Sequence, residues 1–470
     1  MLFLKLRHCF FFKFFNSSKV FLPLILVFSI LTTLVVEAKP EGHIFYRNDE
    51  FISNAFSADQ NPFWKGLGAH FDERETWTDS LFQVKLEFLV VPQQPLLNYV
   101  NFREIFIQWK LHPHQSLQMG RSLHRWSALD SDWTLGFWQP LFKWNPLNPE
   151  EQGLTGFFTQ WWGDGDFGRS TLDFFASNIY IPNQGAKYEI DNGEFKKVNP
   201  WFKTPPAKMR LWGEDTDVKY NIILPSTVEV ISQPSIAFKY QLNNEVDPGF
   251  FMRFAWAHKP SNQMAMRYRG AFDLSKNAGL VDIFPAVFNH SLTSYDLGWS
   301  NKNFGLFMGG LHDEPNSIVP LETWTTPQMS SLSALQVGAF VREKEYKLSF
   351  SELQFFGGKT ELQGDLASSS GGLALVRYPF KMAYQLKASK IRVPSKINHN
   401  NWGAQLRWLM SEENELISAD FEMNLYKNWL FFTEAQLIQA KEVEGGSLLV
   451  TDLNQFADND RIGAGIRYEF

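Results

Sequence analysis

Apolar and polar residues alternate along much of this chain. The stretch LFQVKLEFLV at 81–90 places its apolar side chains on one parity and glutamine, lysine and glutamate on the other. The same rule holds at 101–110 (NFREIFIQWK), 402–410, 417–425 and 461–470 (RIGAGIRYEF). Weaker versions occur at 236–242, 250–258, 335–341, 346–350 and 429–437. Because successive side chains of a strand point to opposite faces, the pattern predicts strands with one apolar and one polar face.

The length of these stretches distinguishes two kinds of β protein. A tilted strand that crosses a bilayer has about 9 to 11 residues, whereas strands of soluble domains usually have about five or six. Aromatic residues lie near the ends of many stretches, as in an aromatic girdle at the lipid headgroups: Trp109, Trp256, Trp402, Tyr426 and Trp429. We therefore predict an all-β fold, a transmembrane antiparallel β-barrel of about 16 strands (about 14 to 18). A soluble β-sandwich would explain the alternation but neither of these features.

The N-terminus predicts export. Four basic residues precede an apolar run at 20–36. The run ends at Val36, which with Glu37 and Ala38 forms a predicted cleavage site. We predict a cleavable signal peptide at 1–38, with an uncleaved membrane anchor as the alternative. The mature chain, 39–470, is predicted to be one barrel, with 39–64 as a periplasmic or lumen-plugging N-terminal segment.

Composition narrows the possible partners. The only cysteine, Cys9, lies in the leader, so the mature chain offers no disulfide and no thiolate metal site. The net charge is −6 and there is no basic tract, which argues against nucleic acid as a partner. Beyond residue 38 no apolar run approaches the ~18 residues of a transmembrane helix.

Alternation is poor between residues 126 and 231, where turn-forming residues cluster and only short strand-like runs occur, as at 172–181 and 219–224. We interpret 126–231 as a long loop or plug insertion, because long outward loops are common in barrels and unusual in compact soluble domains. The segment contains eight of the 17 tryptophans: Trp126, Trp133, Trp138, Trp144, Trp161, Trp162, Trp201 and Trp212. These rings could stack on sugars or pack the loop against itself and the barrel rim.

The C-terminus carries a motif. Phe470 is terminal, Tyr468 precedes it by two positions and Gly465 by five. This ending resembles the last strand of Gram-negative outer-membrane β-barrels, which the barrel assembly machinery reads. The resemblance implies a cell outer-membrane location, with outer-membrane lipid and that machinery as partners.

A second motif lies upstream. REIFIQWKLHPHQSLQMGRSLHRW contains the pair Gly120 and Arg121, and NPLNPEEQG follows it. This hairpin resembles that of large porin-like families, including the alginate-export type. The long segment that follows departs from those families, so no substrate is carried over.

Motifs for chemistry are few. We find no G-x-S-x-G, H-E-x-x-H, C-x-x-C or phosphate-loop pattern, so we predict no enzyme, no cofactor and no metal site. His112 and His114 flank Pro113 in a predicted turn. GDGDFG at 163–168 lacks the further oxygen ligands of a calcium loop and is predicted to be a plain turn.

The polar strand faces suggest the function. Their charged residues would face a water-filled lumen, because each would cost several kcal/mol against lipid. The predicted pore-lining residues are Lys85, Glu87, Glu104, Lys110, Lys239, Arg253, Arg407, Asp420, Glu422 and Arg467. We therefore predict a porin-like channel for passive diffusion of small polar solutes. A surface adhesin or receptor barrel and an outer-membrane hydrolase remain alternatives, and the oligomeric state is open.

Overall fold

The computed structural model describes residues 41–52, 62–202, 204–211, 214–244, 248–275, 277–319, 323–363, 380–392, 401–412, 414–440, 456 and 459–470. The predicted signal peptide, 1–38, lies outside the described residues. So does Trp212 of the tryptophan-rich segment.

Eighteen strands form one closed antiparallel sheet. Each strand pairs with its neighbours in chain order, and the last strand pairs with the first, with Phe45 opposite Arg467. The strands are β1 Glu41–Phe51, β2 Phe63–Thr76, β3 Ser80–Val90, β4 Tyr99–His112, β5 Gln115–Ser122, β6 Leu154–Gly165, β7 Gly168–Ser177, β8 Ser235–Leu242, β9 Gly249–Pro260, β10 Asn289–Ser300, β11 Phe304–Pro315, β12 Leu332–Glu343, β13 Tyr346–Gly357, β14 Met382–Lys390, β15 Trp402–Ser411, β16 Asn414–Tyr426, β17 Trp429–Ala440 and β18 Arg461–Glu469. The barrel fold is confirmed, but the number of strands is 18 and not about 16.

The alternation separates an outer face from a lumen face. In β18, the outward side chains of Ile462 and Ile466 are 47% and 44% exposed. The inward side chain of Arg461, the first residue of the same strand, is only 2% exposed. An apolar exterior with a polar interior is the arrangement that a barrel in lipid requires.

Two regions differ from the sequence prediction. Glu41–Phe51 within 39–64 is the first wall strand and not a separate N-terminal segment. The segment 126–231 is not one insertion, because β6 and β7 divide it into the connections 123–153 and 178–234. In β6 the adjacent Phe157 and Phe158 put apolar rings on both faces, so the period-two signal is hidden.

The connections differ between the two ends of the barrel. At one end, called here the short-turn end, they include 77–79, 113–114, 166–167, 301–303, 344–345 and 427–428. At the opposite, long-loop end lie 123–153, 178–234 and 261–288. Outer-membrane barrels have short periplasmic turns and longer extracellular loops, so we expect the short-turn end to face the periplasm.

The long connections contain the remaining elements. These are helices α1 Ala128–Trp133 and α2 Thr227–Ile231, a 3-10 turn at Pro95–Leu97, and the short strands Leu141–Phe142, Glu150–Glu151, Ile190–Asp191, Glu194–Phe195, Lys208–Leu211, Glu214–Ile222, Ala265–Asp273, Ala278–Ala286, Thr326–Met329 and Thr360–Gln363. Four of these short strands, two from connection 178–234 and two from connection 261–288, form a separate small sheet. Within the described ranges, neither helix is long and apolar enough to cross a bilayer.

A hydrophobic core fills the long-loop half of the lumen. Its loop members come mainly from connection 123–153: Trp126, Leu129, Trp133, Trp138, Leu147 and, from 178–234, Trp201. Its wall members lie towards the long-loop ends of their strands and include Phe158, Phe175, Leu292, Leu311, Leu353 and Leu409. These inward-facing positions are apolar because they contact loop side chains and not water.

Candidate functional site: the barrel lumen

Connection 123–153 crosses the lumen and is attached to distant parts of the wall. The Ala128 amide of α1 donates to the Asp296 carboxylate of β10 at 2.9 Å. The Asn145 side-chain amide donates to Gln436 of β17 at 3.0 Å, and Lys387 of β14 donates to the Asp132 carbonyl at 2.7 Å. The connection therefore narrows the lumen from several sides.

The tryptophans of this region pack inside the barrel. Trp126 stacks on Trp138 with ring centroids 5.4 Å apart and planes at 5°, and each is 1% exposed. Trp201 is also buried, and Trp161 and Trp162 belong to wall strand β6. The loop tryptophans Trp126, Trp138 and Trp201 are thus packed inside the barrel and do not form an exposed stacking surface.

The lumen contains a polar cavity of about 720 Å³. Its lining combines charged wall residues with aromatic rings from the wall and from connection 123–153, among them Arg47, Glu87, Tyr99, Trp144, Asp420 and Glu422. Such a mixed lining offers hydrogen-bonding groups to small polar solutes and excludes apolar ones.

A group of four charged residues, called here the closure network, lies between β1, β17 and β18. Arg461 contacts Asp49 at 2.7 Å and Glu434 at 2.9 Å. Arg47 contacts the same two carboxylates, at 2.7 Å and 2.9 Å. Each carboxylate therefore has two guanidinium partners, which offsets the cost of removing four charges from water.

A second group, called here the mouth network, lies towards the short-turn end. Arg392, from the connection after β14, reaches Glu422 at 3.0 Å and Glu469 at 2.6 Å. Arg467 also contacts both, with its guanidinium 3.7 Å from Glu469. Two cations and two anions thus border this end of the lumen.

Most of the predicted pore-lining residues belong to ion pairs on the lumen face. Lys85 pairs with Glu104 at 2.8 Å, Lys239 with Asp173 at 2.6 Å and Arg253 with Asp296 at 3.0 Å. Glu87 accepts a hydrogen bond from Tyr99 and lies 3.5 Å from His70. Lys110 is exposed beside the turn at 113–114, away from these groups.

Arg407 and Asp420 differ from the predicted residues that form ion pairs. Neither has an ion-pair partner among the described residues. Arg407 faces Lys387 directly across the β14–β15 ladder, so two cations lie side by side on the lumen wall. Asp420 lines the polar cavity and is the cross-strand partner of Glu434.

Sequence reasoning missed several lumen residues. Asp49 and Glu434 were not selected, although each lies on the polar parity of its strand, and Arg392 lies outside any alternating stretch. His43 and His70, stacked at 5.1 Å, also face the cavity. A search for charged residues on the lumen face of β1 could have found Asp49. The position of Arg392 at the lumen is visible only in the folded structure.

His112 and His114 lie at the turn between β4 and β5, with ring centroids 6.2 Å apart. Asp164 and Asp166 lie at the tight turn between β6 and β7. Over the part of the chain that is described, no three His, Cys, Asp or Glu side chains form a candidate metal site.

The residues of the predicted assembly motif occupy distinct surroundings. A side chain at Gly465 would meet the Tyr46 carbonyl at 2.3 Å and the Phe432 ring at 2.4 Å, so this position has no room for a larger residue. Tyr468 and Phe470 face outwards, and the Tyr468 ring lies 5.0 Å from that of Trp429. Recognition of this motif by the assembly machinery stays a prediction.

Asp130 gives connection 123–153 a dependence on pH. Its carboxylate accepts hydrogen bonds from the amides of Phe137 and Trp138 at 3.0 Å and 2.8 Å. Burial, with Glu151 nearby, raises the pKa of Asp130 from 3.8 to about 7. Since the folded state holds the proton more tightly than the unfolded state, stability should fall as pH rises from about 4 to about 7.

We expect the urea midpoint of the wild-type protein to be higher at pH 5 than at pH 8. In Asp130→Asn, whose side chain cannot ionise, the difference between the two midpoints should be smaller. Urea titrations of both proteins at the two pH values test this. An equal pH dependence in the two proteins would rule out Asp130 as its source.

The closed wall, the apolar exterior and the charged lumen define an outer-membrane β-barrel of the porin-like type. No known protein family and no curated protein matches the sequence. Among solved structures, the chain is similar to Acinetobacter baumannii OccAB4, at 9% identity over 92% of this chain and 99% of that one, with a TM-score of 0.43.

A Rhodopseudomonas blastica porin variant matches at 9% identity over 92% of this chain and 99% of that one, with a TM-score of 0.34. Wzi of Escherichia coli, described as a carbohydrate-binding β-barrel involved in group 1 capsule assembly, matches at 10% identity over 95% of this chain and 88% of that one, with a TM-score of 0.41. Similarity at this level does not extend to function.

Proposed function

We propose that the protein is an outer-membrane channel for the passive diffusion of small polar solutes, with connection 123–153 as its constriction. The observation that carries this proposal is the polar cavity of about 720 Å³ inside a closed wall, bordered by the closure and mouth networks. Charged groups in such a lumen orient water and set ion preference.

Single-channel recording tests the proposal. The chain from residue 39 is refolded in detergent and added to a planar bilayer. Discrete and reproducible current steps support a channel. A folded, heat-modifiable barrel that gives no steps under any applied voltage contradicts it.

Charge reversal at the lumen wall should change ion selectivity. Arg407→Glu removes one of two adjacent cations, and Arg467→Glu adds a third anion beside Glu422 and Glu469. We expect the reversal potential in a salt gradient to move towards cation preference in both variants. Reversal potentials that match the wild-type value in both would show that these side chains do not line the conducting path.

A second candidate is a surface receptor or adhesin barrel with a closed lumen. The aromatic core around Trp126 and Trp138 favours it, because that core fills the long-loop half. The separate sheet that contains Glu214–Ile222 and Ala278–Ala286 would offer an outward binding surface. Protease added to intact cells should cleave connections 178–234 and 261–288 in a receptor of this kind. Their resistance would argue against it.

A hydrolase receives less support from the geometry. The His290 and Asp313 side chains lie 2.6 Å apart, but they are only 1% and 0% exposed, so a substrate does not reach them in this arrangement.

A further inference from the structure

A groove of about 600 Å³ lies on the lipid-facing side of the wall, across β12 to β17. Small side chains form its floor: Ala388, Ala404, Ala419, Thr433 and Ala435. The alternation places these residues outside the barrel, on the same face as Leu406, which is 44% exposed. The groove is therefore separate from the lumen and its proposed conduction.

The strand register explains how the groove arises. One row of cross-strand partners contains Ala388, Leu406, Ala419 and Ala435, and the next row towards the short-turn end contains Lys390, Ala404, Phe421 and Thr433. Five of these eight positions thus hold alanine or threonine, and Leu406, Lys390 and Phe421 lie between them. A lipid-facing wall with larger side chains at these positions would have no such depression.

Bulky rows border this depression on both sides. The row nearer the long-loop end consists of Leu386, Trp408, Ile417 and Leu437, and the row nearer the short-turn end includes Trp402, Met423 and Phe431. Because the rows run perpendicular to tilted strands, the groove is inclined to the membrane plane. An extended hydrocarbon chain has the shape to fill it.

The short-turn edge of the groove carries both signs of charge, Lys390 on β14 and the exposed Glu343 at the end of β12. Lys390 is the last residue of β14, and its ammonium group lies 3.6 Å from the centroid of the Trp402 ring. The same group donates to the Trp402 carbonyl at 3.1 Å, and the Trp402 ring lies 6.1 Å from that of Phe421. Tryptophan and lysine at this depth are typical anchors at a membrane interface.

We propose that the groove binds one glycerophospholipid of the periplasmic leaflet, with an acyl chain over the alanine floor and the phosphate at Lys390. The chain would restore the dispersion contacts that a depression in the wall lacks. The phosphate would complement the Lys390 charge at the edge where the short turns place the periplasmic headgroups. The proposal stands whether or not the lumen conducts.

Native mass spectrometry of the whole barrel tests the proposal, with phosphatidylglycerol as the probe. The protein is stripped of lipid in mild detergent and titrated with this lipid. Three variants are compared: Ala404→Leu with Ala419→Leu, which fills the groove, Lys390→Gln, which removes the charge, and Val337→Leu, which enlarges an outward residue elsewhere. All are first checked for the heat-modifiable gel mobility of a folded barrel.

We expect one tightly held phosphatidylglycerol on the wild-type protein and on Val337→Leu. Filling the groove should abolish this bound lipid, and Lys390→Gln should weaken its binding about fivefold. Equal lipid occupancy in the filled-groove variant would overturn the proposal. Loss of a dimer or trimer peak from the spectrum of that variant would also overturn it, since a second copy of the chain would then occupy the groove. So would identification of the bound molecule as lipopolysaccharide of the outer leaflet.

Discussion

Replacing Arg461 with alanine is expected to lower the free energy of unfolding by about 3–5 kcal/mol, as is typical when one partner of a buried ion pair is removed. Arg461 is 2% exposed and contacts Asp49, which is fully buried, and Glu434. In the variant, Arg47 alone would remain to neutralise two carboxylates. Urea unfolding in detergent micelles, followed by tryptophan fluorescence, measures the change.

Lys110→Ala is the matched control for this experiment. It also removes a cation from the lumen parity of a wall strand, but Lys110 is exposed beside the turn at 113–114. We expect its effect to stay within about 0.5 kcal/mol. Similar losses in Arg461→Ala and Lys110→Ala would show that the closure network does not contribute through its buried pairs.

A disulfide between α1 and the wall should suppress conduction, if the channel opens by movement of connection 123–153. A Cβ atom built at Gly309 on β11 lies 3.3 Å from the Cβ atom of Leu129, a few tenths of an ångström below the usual range of about 3.5–4.5 Å in disulfides. The same atom lies 2.9 Å from Oδ1 of Asp296, so this carboxylate must shift slightly in the variant. The double variant Leu129→Cys with Gly309→Cys should therefore give current steps only under reducing conditions.

The single variant Leu129→Cys controls for the loss of the leucine side chain from the core, since it cannot form the bond. The only native cysteine, Cys9, precedes residue 39 and does not compete. Current steps of equal size in the oxidised and reduced double variant would mean that solutes pass beside a fixed α1. The constriction would then be permanent and not movable.

The sequence allowed the wall to be predicted wherever one strand face meets lipid and the other meets water. β3, β4 and β18 are of this kind, because their outward residues are mainly apolar and their inward residues are mainly polar or charged. β6 was missed, and β7 was predicted only as a short strand-like run at 172–181, because inward Phe158 and Phe175 contact the loop core. An apolar lumen face removes the contrast on which period-two reasoning depends.

The strand face on which a charged residue lies could be predicted from the sequence, but its ion-pair partner could not. Arg467 was assigned to the lumen from its own strand, whereas its contact with Glu422 depends on the register of β16, β17 and β18. Pairings of this kind join residues far apart in the chain, and a single sequence does not contain their register. The path of connection 123–153 through the lumen was not predictable for the same reason.

The closure network bears on the order in which the barrel folds. Asp49 and Arg461 are separated by 412 positions, so their contact has nearly the highest sequence separation that this chain permits. Neighbouring hairpins close short loops and are entropically favoured to form first, whereas the pairing of the first and last strands comes late. A chain truncated before its last strand would leave Asp49 without Arg461. The buried charges at this seam therefore favour the complete barrel over every shorter one.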